Sequence, residues 1–189
     1  HGKPLEIYKQ LINDFTIETV YTNHDYEPYA KARDSEIKAF LEEDNIDFKT
    51  YKDQVIFEKE DVVKNDGTPY LVYTPYMKKW KETFRTLNFE TFPSEDKLSQ
   101  LITNKSLPNL SIKDSTSKLG PHLRFGTVSI RNMVKKAIAE TNEVFWQELI
   151  WREFFMQILW HFPQTQTESF KPQYDHIVWR NNDTEFKAW

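Results

Sequence analysis

A single stretch of the sequence, residues 142–163, combines charged side chains with a long apolar run. It reads NEVFWQELIWREFFMQILWHFP and contains three tryptophans. At about 3.6 residues per helical turn, positions three and four apart are neighbours, which places Glu148, Trp151, Arg152 and Phe155 on one face. That face offers a hydrogen-bond acceptor, a flat aromatic plate, a cation and a second ring. Such a set suits a large planar ligand with polar edges, for example a flavin or a nucleobase.

The same stretch has a purely structural interpretation. Buried charges are uncommon unless they are paired, so Arg152 and Glu153 are also consistent with ion pairs at the rim of a core. The apolar residues of the stretch are expected in that core, namely Trp146, Leu149, Phe154 and Ile158. Spacing alone favours this structural interpretation.

The composition limits the classes of function. The chain has 189 residues, 39% hydrophobic and 15% aromatic, with a net charge of −4. It is therefore not a generally basic nucleic-acid binder, and any DNA contact must come from a local patch. The chain has no cysteine, which excludes disulfides and cysteine metal sites, and no apolar run of membrane-spanning length. We expect a cytoplasmic protein without a membrane segment.

Helical and β-rich segments alternate in the first half of the sequence, which predicts a parallel α/β unit. Thr74 and Pro75 are typical of an N-cap and a first helical position. The predicted elements there are helices over 4–12, 28–43 and 74–84, a strand over 16–22, and extended pieces at 48–51 and 55–57. The later part predicts only helices, over about 117–124, 130–141 and 142–162, and from about Asp183.

Polar stretches rich in Pro and Asn separate the two parts and predict a linker. We therefore expect a fold of the α/β plus all-α class. The predicted boundaries are an α/β domain over 1–88, a linker over 89–115, and a helical domain over 116–189.

Five stretches together resemble the DNA photolyase/cryptochrome family, and they occur in the family's order. The central one is WQELIWREFF followed by LWHFP, which is similar to the N/Q-E-L-x-W-R-E-F helix between the flavin pocket and the DNA-binding cavity. The others are YTNHDYEPYAKARD (21–34), YLVYTPYMKKW (70–80), STSKLGPHLRFGTVSIRNM (115–133) and VWRNNDTEFKAW (178–189). The resemblance covers nearly the whole chain.

This resemblance implies a light-driven, FAD-dependent enzyme that repairs cyclobutane pyrimidine dimers in DNA. Glu148 then matches the acidic residue that hydrogen-bonds the damaged bases, and Trp151 the tryptophan that stacks on the flipped dimer. Arg152 matches a cavity arginine near flavin and substrate, and Phe145 a position that lines the pocket. Trp179 stands where the family has the outermost tryptophan of its electron relay.

The resemblance also implies a turn that binds the flavin diphosphate, formed by Thr116, Ser117, Lys118, Leu119 and Gly120. Hydroxyl groups, backbone N–H groups and a following helix N-terminus suit an anion. Gly120 departs from family members with serine, which removes one hydroxyl and lets backbone approach closely. Taken alone, the same residues are a good N-cap.

The family's α/β domain often holds a light-harvesting antenna chromophore, a folate or a deazaflavin. Tyr29 and Ala30 stand where folate-type members carry an Asn-Glu pair, which argues against a folate. Compared with the family, the sequence resembles an internal piece that lacks the opening strands and the second half of the helical domain. We expect a monomeric parent protein, and a fragment that is inactive alone and tends to self-associate.

Three alternatives remain open from the sequence. A cryptochrome-type photoreceptor has the same fold and cofactor without repair, and an enzyme for (6-4) lesions is a further member of the family. A flavin-free interaction module of the same fold is an alternative of another class. No metal site is predicted, because His122 and His161 have no partners at metal-ligand spacing.

Overall fold

A computed structural model describes residues 1–87 and 119–189. Within these ranges the order is α1 (Pro4–Asp14), β1 (Thr19–Asn23), α2 (Pro28–Glu43), β2 (Asp47–Tyr51), α3 (Tyr73–Thr86), α4 (Gly120–Arg124), α5 (Ile130–Ala139), α6 (Glu143–His161) and α7 (Asp183–Ala188). Two short 3-10 turns, Pro163–Gln166 and Pro172–Tyr174, separate α6 from α7. Both strands lie in the first half and the described residues after Leu119 hold helices only, as the sequence predicts.

The two strands form a small parallel sheet. Thr19 pairs with Asp47 and Asn23 pairs with Tyr51, and α2 makes the connection between the strands. Parallel neighbours need such a crossover, so β1, α2 and β2 form one βαβ unit. Its small core consists of Val20, Ile37, Leu41 and Ile46, packed against partly buried residues of α1.

A second, larger core joins the two halves of the chain. The segment after β2 contributes Ile56, Phe57 and Val62, and α3 contributes Tyr76 and Trp80. Helices α5 and α6 contribute the remaining residues, namely Ile130, Val134, Leu149, Ile150 and Phe154. Trp80 and Ile150 have no exposed surface. The burial of this apolar surface, at about 25 cal/mol per Å², holds α3 against α6.

Local capping fixes where the helices begin. The Asn142 side chain accepts a hydrogen bond from the Phe145 N–H at the start of α6, and the Ser129 hydroxyl accepts one from the Asn132 N–H at the start of α5. Side-chain oxygens satisfy N–H groups that have no partner within a helix. Helix α2 begins at Pro28, where the missing N–H costs nothing.

The structure corrects two local predictions. Residues 55–57 are not part of a strand, because the N–H groups of Ile56 and Phe57 bind Glu153 of α6 rather than a neighbouring strand. Thr74 is not an N-cap, because α3 already begins at Tyr73 and Val72 is the residue before it. The predicted linker over 89–115 lies outside the described residues.

In the described ranges, no helix combines the length and apolar character needed to cross a bilayer. Every residue of 170–189 is exposed, including aromatic side chains. Trp179 is 73% exposed and Trp189 is 99% exposed. These residues contribute to neither core of the described chain.

Candidate functional site

Helix α6 carries four of the predicted site residues, Phe145, Glu148, Trp151 and Arg152, and contributes three residues to the larger core. One side of it buries Leu149, Ile150 and Phe154. These residues pack in the larger core with α3 and the segment after β2. The polar and aromatic residues of α6 fall into two groups, one against α3 and one against the segment after β2.

The first group is an aromatic stack around Trp151. The Trp151 ring lies 3.5 Å from the Tyr73 ring, centroid to centroid, with 7° between the planes. Phe155 stacks at 5.4 Å and is 61% exposed, so the stack reaches the surface. The Tyr73 hydroxyl donates to the backbone carbonyl of Gln147 at 3.0 Å, which orients the ring. With parallel planes and this short centroid distance, the two rings lie almost face to face, so Tyr73 covers one face of the Trp151 ring.

Glu148 lies on the exposed side of α6, close enough to Tyr73 for its charge to act on that residue. Burial raises the pKa of the Tyr73 hydroxyl to about 12, and the negative charge of Glu148 adds to the rise. A carboxylate beside an aromatic plate pairs a hydrogen-bond acceptor with a stacking surface. The structure thus brings Glu148, Trp151 and Phe155 to one edge of the molecule.

Arg152 contacts a different element from its predicted companions. Its Nη1 donates to the backbone carbonyl of Gln54 at 2.5 Å. Burial lowers the pKa of the guanidinium, and the negative charge of Glu153 opposes that effect. Arg152 therefore joins α6 to the α/β half of the chain.

Arg152 also lines a cleft of about 150 Å³ between the two halves. The other walls are Asn23 at the end of β1, Asp53 and Gln54 after β2, and residues 123–126, Val128 and Ile130 from the helical half. Asn23 donates to Asp53 at 3.0 Å, and Arg131 lies 3.6 Å from the same carboxylate. The cleft opens at the carboxyl ends of β1 and β2, where ligands of parallel α/β sheets commonly bind.

Glu153 is the residue that sequence reasoning misjudged most. It is 2% exposed, not a rim residue. Its carboxylate accepts hydrogen bonds from the Ile56 N–H (2.5 Å), the Phe57 N–H (3.2 Å) and the Trp80 indole N–H (2.6 Å). Burial raises its pKa to about 7, against the three N–H donors, which favour the ionised form. No pattern around Glu153 in the sequence points to these distant donors.

Gln157, one turn after Glu153, is likewise buried and binds the same part of the chain. Its Nε2 donates to the carbonyls of Lys59 (2.7 Å) and Val62 (2.9 Å). His161, a further turn on, places Nε2 3.3 Å from the Lys59 carbonyl. These side chains supply hydrogen-bond donors to the Lys59 and Val62 carbonyls, which belong to an irregular segment and have no partner strand or helix of their own among the described residues.

A second polar network lies around Tyr26, in the motif that resembles the family's Y-E-P signature. The Tyr26 hydroxyl donates to Glu58 at 2.7 Å, and the same carboxylate contacts His24 Nδ1 at 2.9 Å. Burial, followed by the hydrogen bond to Glu58, raises the pKa of Tyr26. The motif marks Tyr26 and Glu27, but nothing local to it identifies Glu58 or His24 as the partners.

The predicted diphosphate turn is described only in part. Thr116, Ser117 and Lys118 lie outside the described residues. Leu119 is 7% exposed, whereas Gly120 is exposed and an added Cβ there would meet no atom of the described residues within 4 Å. The described residues therefore leave space beside Gly120.

The other predicted site residues lie apart from the Trp151 stack. Phe145 is half-buried in the first turn of α6 and packs against the larger core. Trp179 lies in the exposed segment between the 3-10 turns and α7. His122 contacts Thr127, and no group of three metal-ligating side chains occurs among the residues that the structure describes.

Comparison with known proteins yields matches over most of the chain. The DNA photolyase family model matches residues 1–96, and the model for the FAD binding domain of DNA photolyase matches residues 145–189. Deoxyribodipyrimidine photo-lyase of Synechococcus is 26% identical over 247 residues, an alignment that covers the whole chain and 51% of that protein. The chain spans about half the length of the curated relatives it matches.

Solved structures show the same fold. A bacterial class III photolyase from Agrobacterium tumefaciens superposes with a TM-score of 0.74 at 22% identity, covering all of this chain and 50% of that one. An archaeal photolyase from Sulfolobus tokodaii with two FAD molecules superposes with a TM-score of 0.69 at 22% identity, covering all of this chain and 49% of that one.

Proposed function

Because this chain belongs to the DNA photolyase family, we propose that it is part of a deoxyribodipyrimidine photolyase. The proposed activity is light-driven, FAD-dependent repair of cyclobutane pyrimidine dimers in DNA. The observation that carries the proposal is the Trp151 stack, which reaches the surface through Phe155 and has Glu148 beside it.

The stack is suited to a base that has left the double helix. A damaged, weakly paired base leaves the helix at lower cost than an intact one. An aromatic plate then contributes about 1–3 kcal/mol of stacking for each base. Glu148 supplies a carboxylate acceptor for the polar edge of the flipped bases, and Tyr73 holds the Trp151 ring in place.

We assign the flavin contacts to the turn over 116–120, to Phe145 and to Arg152. Bound FAD supplies the electron-transfer chemistry, and the protein supplies position and exclusion of water. The described residues fit such a group. The space beside Gly120 admits a ligand close to the backbone, and a guanidinium has five N–H donors, of which the contact with Gln54 uses one. Trp179 is assigned the outer position of an electron relay.

We further propose that the α/β half holds an antenna chromophore at the strand side of the cleft. Support comes from the place of the cleft at the carboxyl ends of β1 and β2 and from the charged groups Asp53 and Arg131 beside it. Tyr29 and Ala30 argue against a folate and leave a deazaflavin or another flavin. We also propose that the chain divides into an α/β domain over 1–88, a linker over 89–115 and a helical domain over 116–189.

The test uses the full-length natural protein that contains this chain. Its visible absorption spectrum is recorded first, followed by dimer repair in a thymine-dimer oligonucleotide under blue light. We expect flavin bands and repair. Trp151→Ala is expected to weaken binding of the damaged oligonucleotide about 5- to 150-fold, from the loss of one stacking contact. Trp151→Phe retains a ring and serves as the matched control with a smaller loss.

The outcomes separate the alternatives. Flavin bands without repair would favour a cryptochrome-type photoreceptor. A protein without flavin bands would favour an interaction module of the same fold, and the cofactor assignments would be withdrawn. Repair with unchanged affinity in Trp151→Ala would overturn the role given to the Trp151 stack.

A further inference from the structure

Three polar side chains of α6 hold one irregular segment of the α/β half, residues 54–62. Arg152 binds the Gln54 carbonyl, Glu153 binds the N–H groups of Ile56 and Phe57, and Gln157 binds the carbonyls of Lys59 and Val62. The partners are about 95 to 98 positions apart in sequence. These contacts cross between the two halves of the molecule.

Glu153 differs from the other two because it also binds α3. Its Oε2 accepts the indole N–H of Trp80, a residue with no exposed surface. Glu153 is therefore the one of these three side chains that ties α6, α3 and the 54–62 segment to a single point.

The position of α3 matters for the Trp151 stack. Tyr73 and Trp80 are seven residues apart on α3, two helical turns, so both point towards α6. Trp80 is held by Glu153, and Tyr73 stacks on Trp151, two positions before Glu153. A shift of α3 along α6 would therefore separate Tyr73 from Trp151.

We propose that Glu153 is a positioning residue for the site: by binding Trp80 and the 54–62 segment, it sets the register of α3 against α6 that places Tyr73 on Trp151. This role rests on the proposed function, because Trp151 is the plate on which the damaged base is proposed to stack. It concerns a residue that contacts neither the flavin nor the DNA in that proposal.

The experiment needs neither flavin nor DNA, so its failure is distinct from failure of the proposed function. Glu153→Gln is introduced into the 189-residue chain, and amide exchange and the indole N–H signals of 15N-tryptophan are recorded. We expect the Ile56 and Phe57 amides to exchange about 10- to 100-fold faster. The indole signals of both Trp80 and Trp151 are expected to move, with single Trp→Phe variants providing their assignment.

Two further variants serve as controls. Glu60→Gln makes the same chemical change at an exposed position of the 54–62 segment and should leave all these signals in place. Trp80→Phe removes the indole N–H and part of a buried ring, but leaves Glu153 and its bonds to the 54–62 segment in place. It should move the Trp151 signal and leave the Phe57 amide protected, and it keeps the test open if Glu153→Gln fails to fold. A Trp151 signal that stays in place in both Glu153→Gln and Trp80→Phe would overturn the positioning role, even if the Ile56 and Phe57 amides exchange faster.

Discussion

The stability of this fold should decrease as the pH rises from 5 to 8, because of the Glu153 carboxyl. Burial raises its pKa from the ordinary value of 4.5 to about 7, and the positive charge of Arg152 opposes part of the rise. The folded state therefore binds this proton more tightly than the unfolded state does. The stabilisation is complete below about pH 4.5 and is lost as the pH rises through about 7.

The magnitude follows from the two pKa values. Between 4.5 and about 7, at about 1.4 kcal/mol for each pH unit, the free energy of unfolding should fall by about 3 kcal/mol. This is a large share of the 5–15 kcal/mol that is typical of whole domains. A single buried carboxyl is thus expected to dominate the pH dependence near neutrality.

The assay is urea unfolding at pH 5, 6, 7 and 8 for the natural sequence and for Glu153→Gln. The glutamine does not titrate, so the difference between the two proteins isolates Glu153 from all other groups. We expect the difference to move by about 3 kcal/mol in favour of the variant between pH 5 and pH 8. Glu168→Gln, at an exposed position, should follow the natural sequence at every pH.

A difference that stays constant with pH would refute the reasoning. It would mean that the three N–H donors outweigh burial and keep Glu153 ionised throughout the range. If the difference moved in the opposite direction, the pKa of Glu153 in the folded state would lie below its ordinary value, which would refute the reasoning more strongly.

Two other predictions concern the aromatic stack and the sheet. Tyr73→Ala should lower the free energy of unfolding by about 2–4 kcal/mol, because it removes the stack on Trp151. Tyr73→Phe loses only the hydrogen bond to Gln147 and should lower it by about 1 kcal/mol. Urea unfolding measures both losses, and equal losses would contradict the stacking role. Each strand has one partner among the described residues, and Tyr21 and Tyr51 stack on an exposed face of the sheet. Because unpaired strand edges can pair with another chain, sedimentation velocity should detect self-association, and Tyr21→Lys should reduce it. A monomer at high concentration would contradict this prediction.

Much of the local structure follows from the sequence. Pro28 and Asn142 mark the starts of α2 and α6, because a proline at the first helical position and a side-chain cap are local features. The fold class is also predictable, because the alternation of helices and strands is visible in the order of the sequence segments. The family resemblance is also a property of linear order, and it predicts a role for residues such as Trp151 without information about their contacts.

The tertiary structure alone decided what the polar side chains of α6 contact. Helical periodicity shows that Trp151 and Phe155 share a face, but it carries no information about the element across from that face. Tyr73 as the partner of Trp151, and Trp80 as a donor to Glu153, come from α3, more than 70 positions away. Glu153 has the sequence pattern of a surface charge, and only the packing of the two halves removes it from water and surrounds it with N–H donors.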